Sequence, residues 1–329
     1  MSKKFVYLFP GQGAQYPGMA LDFLSSDAVK KLFDTASGIF GKDAKELLQS
    51  DADTLKRTDV SQPAITLANL AAAAFLGERG FSPAACAGFS LGEYAALVYS
   101  GIIDAPDCLR LVKARGEAMQ KTADRLREEA GGDAAAAPGM AAVIGMEPKQ
   151  AEELIAKWSK EGLKDLYAAN INSPKQIVVS GTATALAEAQ TRFREAGAKR
   201  VLRLQVAGPF HSPLMSDSAD AFAPSLEEVT FRDPVIPVYS NVTGKAITSG
   251  EEAKKLALLQ ITNPVRWVDE EAAIASCGID ACLEAGPGRV LQGLWRDSAL
   301  ADAGVLADAN GGIPVFAAGT AEEISQIEI

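Results

Sequence analysis

A serine held between two glycines, where a strand breaks into a helix, constrains this chain more than any other feature. In Gly88-Phe89-Ser90-Leu91-Gly92 the preceding run Ala84–Phe89 is small and apolar and reads as a buried strand. Leu91–Ser100 reads as a helix ended by Gly101. Glycines two before and two after the serine allow a turn that a Cβ would obstruct, and such a turn presents the hydroxyl. The Leu91 amide, in the first turn of that helix, then points toward an oxyanion formed on a carbonyl attacked by Ser90. Glycine and serine also crowd ordinary strand-to-helix turns, so the motif alone leaves a plain turn open.

The surrounding pattern is α/β. Phe5–Phe9 reads as a first strand, followed by the loop Pro10-Gly11-Gln12-Gly13, helices over Ala20–Ile39 and Ala64–Glu78, the Ser90 turn and a helix over Asp107–Thr122. Strands alternating with amphipathic helices predict a hydrolase-like large domain with a mostly parallel sheet covered on both faces. Near residue 124 the composition shifts. Arg125–Pro138 is charged, then rich in Ala and Gly, and reads as a mobile linker. Beyond it come strand Met140–Ile144, helix Pro148–Glu161, strands Leu166–Asn170 and Gln176–Ser180, helix Ala183–Ala196 and strand Arg200–Leu204. That β-α-β-β-α-β order predicts a ferredoxin-like domain over 125–205, inserted between 1–124 and 206–329. The larger pattern resumes with strand Val235–Asn241, helices Glu251–Ile261 and Val265–Cys277, strand Ile279–Glu284, a helix opened by Gly286-Pro287-Gly288, and strand Pro314–Ala318. A cleft between the two domains is the expected ligand site.

With 329 residues, 48% of them apolar, the chain can bury a substantial core. A net charge of −10 with both signs interspersed disfavours nucleic acid as a partner. The longest apolar stretch, Ala64–Leu76, is too short to span a membrane and carries Thr66 and Asn69. Cys86, Cys108, Cys277 and Cys282 form no C-x-x-C pair, so a reducing cytoplasm is the simplest setting and no metal site is expected.

A serine nucleophile needs a base, and the chain has one histidine, His211, in Gly208-Pro209-Phe210-His211-Ser212-Pro213, where the chain re-enters the large domain. The alternative is a surface or packed histidine. No acid is placed to orient the ring, since Asp217 and Asp220 follow too closely; a backbone carbonyl could do so instead, giving a dyad. On the helix after the serine turn, Cys108, Leu111, Val112 and Met119 define the buried stripe, and Arg115 falls on it. An inward guanidinium must meet an anion, either a structural Asp or Glu or a substrate carboxylate held in a bidentate fork. Gly11 and Gly13 flank Gln12, whose amide could supply a second oxyanion donor.

Together these residues resemble the malonyl-CoA:acyl carrier protein transacylases, the acyltransferases of type II fatty acid synthesis and of polyketide synthases. The matching words are Phe9-Pro-Gly-Gln-Gly-Ala-Gln15, Ser61-Gln-Pro-Ala64, Gly88-Phe-Ser-Leu-Gly-Glu-Tyr94, Arg115-Gly-Glu-Ala-Met-Gln120 and Asn170-Ile-Asn172. Gly208-Pro-Phe-His-Ser-Pro-Leu-Met215, Tyr239-Ser-Asn-Val-Thr-Gly244, Gln260-Ile-Thr-Asn-Pro-Val265 and Gly286-Pro-Gly-Arg-Val-Leu291 follow in family order. The resemblance implies Ser90 as the acylated nucleophile, His211 as base, and the amides of Gln12 and Leu91 as the oxyanion hole. It implies Arg115 on the malonyl carboxylate and Gln260 orienting the histidine through its main-chain carbonyl. Gln62, Asn170 and Asn172 would line the cleft, and Phe210 matches a bulky residue that goes with malonyl rather than methylmalonyl. The family usually has histidine before the serine; here it is Phe89.

The implied reaction is a ping-pong transfer from malonyl-CoA to the phosphopantetheine thiol of acyl carrier protein, with no cofactor of the enzyme's own. Lys175, Lys199 and Arg200 are candidates for docking an acidic carrier, although a solvated face explains them as well. A monomer is the plain expectation. A polyketide acyltransferase, a serine acyl hydrolase and a non-catalytic carrier-binding subunit are the competing readings.

Overall fold

In the computed structural model, residues 3–301 and 312–327 are described. Among them eight strands run in chain order: β1 (Phe5–Phe9), β2 (Pro83–Gly88), β3 (Gly139–Ile144), β4 (Leu166–Ser173), β5 (Gln176–Gly181), β6 (Arg200–Arg203), β7 (Ala281–Glu284) and β8 (Val315–Ala317). They form two sheets. One is parallel, in the order β2-β1-β7-β8. Its central strand β1 is buried at every residue because both faces are covered. Phe5, Tyr7 and Phe9 enter the main core with the Thr58–Glu78 helix, while Val6 and Leu8 enter a second cluster around Trp267 and Leu291.

The other sheet is antiparallel, in the order β4-β5-β3-β6. Alternation along its strands divides its contacts. Val143, Ile177, Val179 and Val201 pack under the helices Pro148–Lys160 and Ala183–Glu195, whose Trp158 and Phe193 rings meet edge-on at 4.7 Å. Met140, Ala142 and Val178 face the main core. Strand β4 is tied to the segment before the Trp267–Ala275 helix by a parallel bridge at Asn170: Ile171 N donates to Val265 O (2.7 Å) and Val265 N to Ala169 O (2.9 Å).

Several expected elements differ. The helix expected to stop at Thr122 runs Ala105–Glu129, so the first part of the expected linker is helical. Its Ala, Arg, Glu and Leu residues are strong helix formers, and Arg125 is tied to Glu129 (2.6 Å) and Asp217 (2.7 Å). The expected Ala20–Ile39 helix is two pieces, Leu21–Ser25 and Asp27–Phe40, with Ser26 capping the second through Val29 N. The helix expected from Ala64 starts at Thr58, with Pro63 inside it. Val235–Asn241 forms no strand but two isolated bridges, parallel from Val238 to Cys86 and antiparallel from Tyr239 to Ala246; Pro234 and Pro237 lack the N–H groups of a ladder. Helices Ala44–Leu48, Ser216–Glu227 and Ala321–Ser325 had no counterpart in the expected order.

The length argument against a membrane span needs correcting. The Thr58–Glu78 helix is long and apolar enough to cross a bilayer by length and composition, but its most apolar window is 83% buried inside the fold. It is the core helix against which β1 and the Ala105–Glu129 helix pack.

Candidate active site

Strand β2 ends at Gly88, and the helix Gly92–Tyr99 begins four residues later. Between them Ser90 takes a left-handed conformation, φ 51°. The flanking glycines are required by close approach rather than by positive φ. A Cβ on Gly88 would meet Gly92 C at 2.0 Å, and one on Gly92 would meet Phe9 O at 1.9 Å. The turn is fixed by Phe89 N donating to Phe9 O (2.9 Å) and Gly92 N to Phe89 O (2.9 Å). The amides of Leu91 and Gln12 have no acceptor among the described residues. Both belong to segments at the Ser90 end of the parallel sheet, where Gln12 lines the cleft and Leu91 is buried.

Ser90 Oγ lies 2.7 Å from His211 Nε2, and His211 Nδ1 lies 2.8 Å from Gln260 O. A carbonyl oxygen only accepts, so Nδ1 carries the proton and the Nε2 lone pair faces the serine hydroxyl. That is the protonation state of a general base. Burial pulls the imidazole down to about 4, with the Arg115 charge adding to the effect and hydrogen bonding to Gln260 opposing it. His211 is itself left-handed, φ 56°. Its loop is held by two hydroxyls, Ser180 Oγ donating to Phe210 O (2.5 Å) and Ser212 Oγ to Pro209 O (2.5 Å).

Arg115 is 1% exposed yet lines the same cleft. Its Nη2 donates to Gln260 Oε1 at 2.9 Å, its guanidinium stands 5.5 Å from the Tyr94 ring centroid, and its Nε has no partner. No salt bridge reaches it among the described residues, so no structural Asp or Glu occupies its donors. Glu93, a buried acid whose charge Arg115 feels, is turned to Asn241 N (2.7 Å) and is pushed up to about 7 by burial. A buried fork of donors beside a serine–histidine pair can hold a carboxylate on an acyl group bound to that serine.

Asn170 and Asn172, two apart on β4, share the face that lines the cleft, and Asn172 Oδ1 has no partner among the described residues. Phe210 and Phe89 line it too, Phe89 standing edge-on to Trp267 at 5.5 Å. Gln62 does not. It is fully buried beneath the lining, with Nε2 on Met119 Sδ (3.3 Å), because the helix that carries it begins at Thr58 and turns this side chain into the core. Lys175, Lys199 and Arg200 are not in the lining either. Lys56, which sequence reasoning missed, is; it is an exposed lysine paired with Asp53 and carries no motif.

The side chain of Gln260 was also unforeseen. Its Nε2 donates to Ser90 O (3.0 Å) and Asn241 Oδ1 (3.1 Å), so one residue holds the histidine by its main chain and the arginine by its side chain.

Comparison with known proteins agrees with this geometry. Residues 6–306 match the acyl transferase domain family. The chain is 38% identical over 298 residues to the malonyl CoA-acyl carrier protein transacylase of Escherichia coli K12, covering 89% of this chain and 92% of that one. The structure of the corresponding Coxiella burnetii transacylase superposes with a TM-score of 0.86 at 29% identity, covering 99% of this chain and 96% of that one. A malonyl-transacylase solved in complex with a type II polyketide synthase acyl-carrier protein superposes at 0.85 with 33% identity, each chain 98% covered. The chain therefore belongs to the acyl transferase domain family, among the malonyl CoA-acyl carrier protein transacylases.

Proposed function

We propose that this enzyme transfers malonyl from malonyl-CoA to the phosphopantetheine thiol of acyl carrier protein, for fatty acid synthesis. The observation that carries this reading is Arg115, a buried guanidinium with no carboxylate partner among the described residues, lining the same cleft as the Ser90–His211 pair. His211 takes the Ser90 proton as Oγ attacks the thioester carbonyl. The amides of Gln12 and Leu91 receive the charge that develops on oxygen. The C–S bond breaks, and CoA leaves with the proton from His211. The carrier thiol then gives its proton to His211 and attacks malonyl-Ser90, regenerating the serine. Arg115 grips the malonyl carboxylate in both half-reactions, Asn170 and Asn172 line the path of the arm, and the Phe210 ring limits space beside the α-carbon.

In this reading the antiparallel unit is a ferredoxin-like insertion in a hydrolase-like domain, supported by its β-α-β-β-α-β order and its β4-β5-β3-β6 sheet. The long helix that precedes it ends at Glu129, and its first strand starts at Gly139. The enzyme acts as a cytoplasmic monomer and brings no cofactor of its own. A carrier from a polyketide pathway is the second reading, favoured by the likeness to the transacylase bound to such a carrier.

The test incubates the enzyme with malonyl-CoA, with and without carrier protein. Malonyl trapped on Ser90, absent from Ser90→Ala, and malonylated carrier are expected. Hydrolysis of malonyl-CoA without transfer would identify an acyl hydrolase instead.

A further inference from the structure

Asn241 lies outside the cleft lining, is completely buried, and has every polar group of its side chain engaged. Its Nδ2 donates to Gly88 O (2.7 Å) and to Glu270 Oε1 (2.8 Å), and its Oδ1 accepts from Gln260 Nε2 (3.1 Å). Its backbone is held too: N donates to Glu93 Oε2 (2.7 Å), and O accepts from Arg266 N (2.8 Å). The orientation of this amide is not arbitrary. Gly88 O can only accept, so the NH2 must face it, and Oδ1 must then face Gln260.

That choice propagates. Gln260 has two amide hydrogens; Ser90 O takes one and Asn241 Oδ1 takes the other. With both hydrogens committed on that side, Oε1 is turned to Arg115 Nη2. The reversed amide would set two donors against each other in a buried site and leave Ser90 O and Asn241 Oδ1 without hydrogens. The Gln260 main chain is fixed separately, by its N–H on Leu256 O (2.9 Å) at the end of the Gly250–Leu259 helix. The carbonyl that holds His211 therefore does not depend on Asn241, whereas the side chain that holds Arg115 is fixed jointly by Ser90 O and Asn241 Oδ1.

We infer that Asn241 is a positioning residue for acyl selectivity: it locks the Gln260 amide so that Arg115 is aimed at the carboxylate of the bound acyl group. The inference rests on the malonyl-transfer reading. It separates two properties of one residue, orientation of the base by the Gln260 main chain and orientation of the carboxylate clamp by the Gln260 side chain.

The test measures kcat/KM for acylation by malonyl-CoA and by acetyl-CoA in wild type, Asn241→Ala and Asn241→Asp. The imidazole is followed in parallel by NMR of protein labelled with 15N-histidine, which reports His211 alone because the chain has one histidine. In Asn241→Ala the malonyl-to-acetyl ratio should fall about tenfold or more, the change expected when a hydrogen bond to a charged group is weakened. His211 should keep its Nδ1–H tautomer. Asn241→Asp, protonated by burial beside Glu270 so that its hydroxyl donates to Gly88 O, keeps the oxygen that accepts from Gln260 and should retain more of the ratio. If the alanine variant does not fold, the aspartate carries the test against wild type with the same two readouts, its ratio falling by a smaller factor.

A parallel loss on both substrates, an unchanged ratio, or loss of the tautomer would overturn the inference while leaving malonyl transfer by the wild type intact. A wild type that transfers no malonyl would overturn the underlying reading and this inference with it.

Discussion

Replacing Arg115 by alanine tests the chemistry most directly. The guanidinium is 1% exposed, donates to Gln260 Oε1 and to no other acceptor among the described residues, and stands beside the face of Tyr94. A malonyl carboxylate bound there forms a desolvated charge pair, and truncating one member of such a pair costs about 2–5 kcal/mol, or roughly 30- to 5,000-fold in kcat/KM. Acetyl-CoA brings no carboxylate. In the wild type it leaves the buried cation without its anion, a penalty that Arg115→Ala removes, so its kcat/KM should stay within about threefold or rise. The variant also strands Gln260 Oε1, at about 1–3 kcal/mol of stability, which a urea midpoint would register. That loss is common to both substrates and cancels in their ratio. The assay follows CoA release and malonylated or acetylated carrier protein by mass spectrometry. Equal falls on malonyl and acetyl transfer would refute the argument, because they would make Arg115 a structural support rather than a carboxylate ligand.

Three further outcomes follow from the geometry. Burial holds the His211 imidazole at about 4, so its protonation, read by 15N NMR, and the acid limb of kcat/KM should both fall near pH 4 rather than near 6.5. The unfolded chain takes up this proton near 6.5, so the stability tied to the neutral ring is full above that pH and declines as pH falls from 6.5 toward 4. Gly92→Ala puts a Cβ 1.9 Å from Phe9 O and should destabilise by about 3 kcal/mol or more in urea unfolding, whereas Gly38→Ala, where a Cβ meets nothing, should be neutral or slightly stabilising. Phe210→Ala should raise methylmalonyl relative to malonyl transfer by about 10- to 200-fold in the kcat/KM ratio, the range one methyl commands in an apolar pocket; an unmoved ratio would remove Phe210 from selectivity.

What the sequence disclosed depended on whether a feature is carried by a side chain or by the main chain. The Ser90 turn was legible because its glycines are forced by backbone contacts under 2.1 Å, which no other residue tolerates. Arg115 was legible because its place on an apolar helical stripe contradicts its charge. The partner of His211 was not readable from residue types, since Gln260 supplies a main-chain carbonyl that any residue possesses; only the family resemblance pointed to it. Gln62 was misassigned to the lining because membership of a motif word does not say which way a helix turns a side chain. The charged segment after Thr122 was read as linker although its residues favour helix, because exposed helix and polar coil share a composition.

The two reacting residues share a feature that ties the sheets to the chemistry. Ser90 and His211 are both left-handed and neither is glycine, at a cost of about 1–2 kcal/mol each. Such conformations persist only where surrounding bonds over-determine them. For Ser90 the constraint comes from the parallel sheet, through Phe9 O and the close Gly88–Gly92 contact. For His211 part of it comes from the antiparallel sheet, since Ser180 on β5 holds the carbonyl of the residue before it. The hydroxyl and the imidazole are thus held by bonds from different sheets and meet at 2.7 Å. The antiparallel unit therefore helps to frame the Ser90–His211 pair, and the bridge from β4 to Val265, five residues after Gln260, ties β4 near the carbonyl that holds the His211 ring.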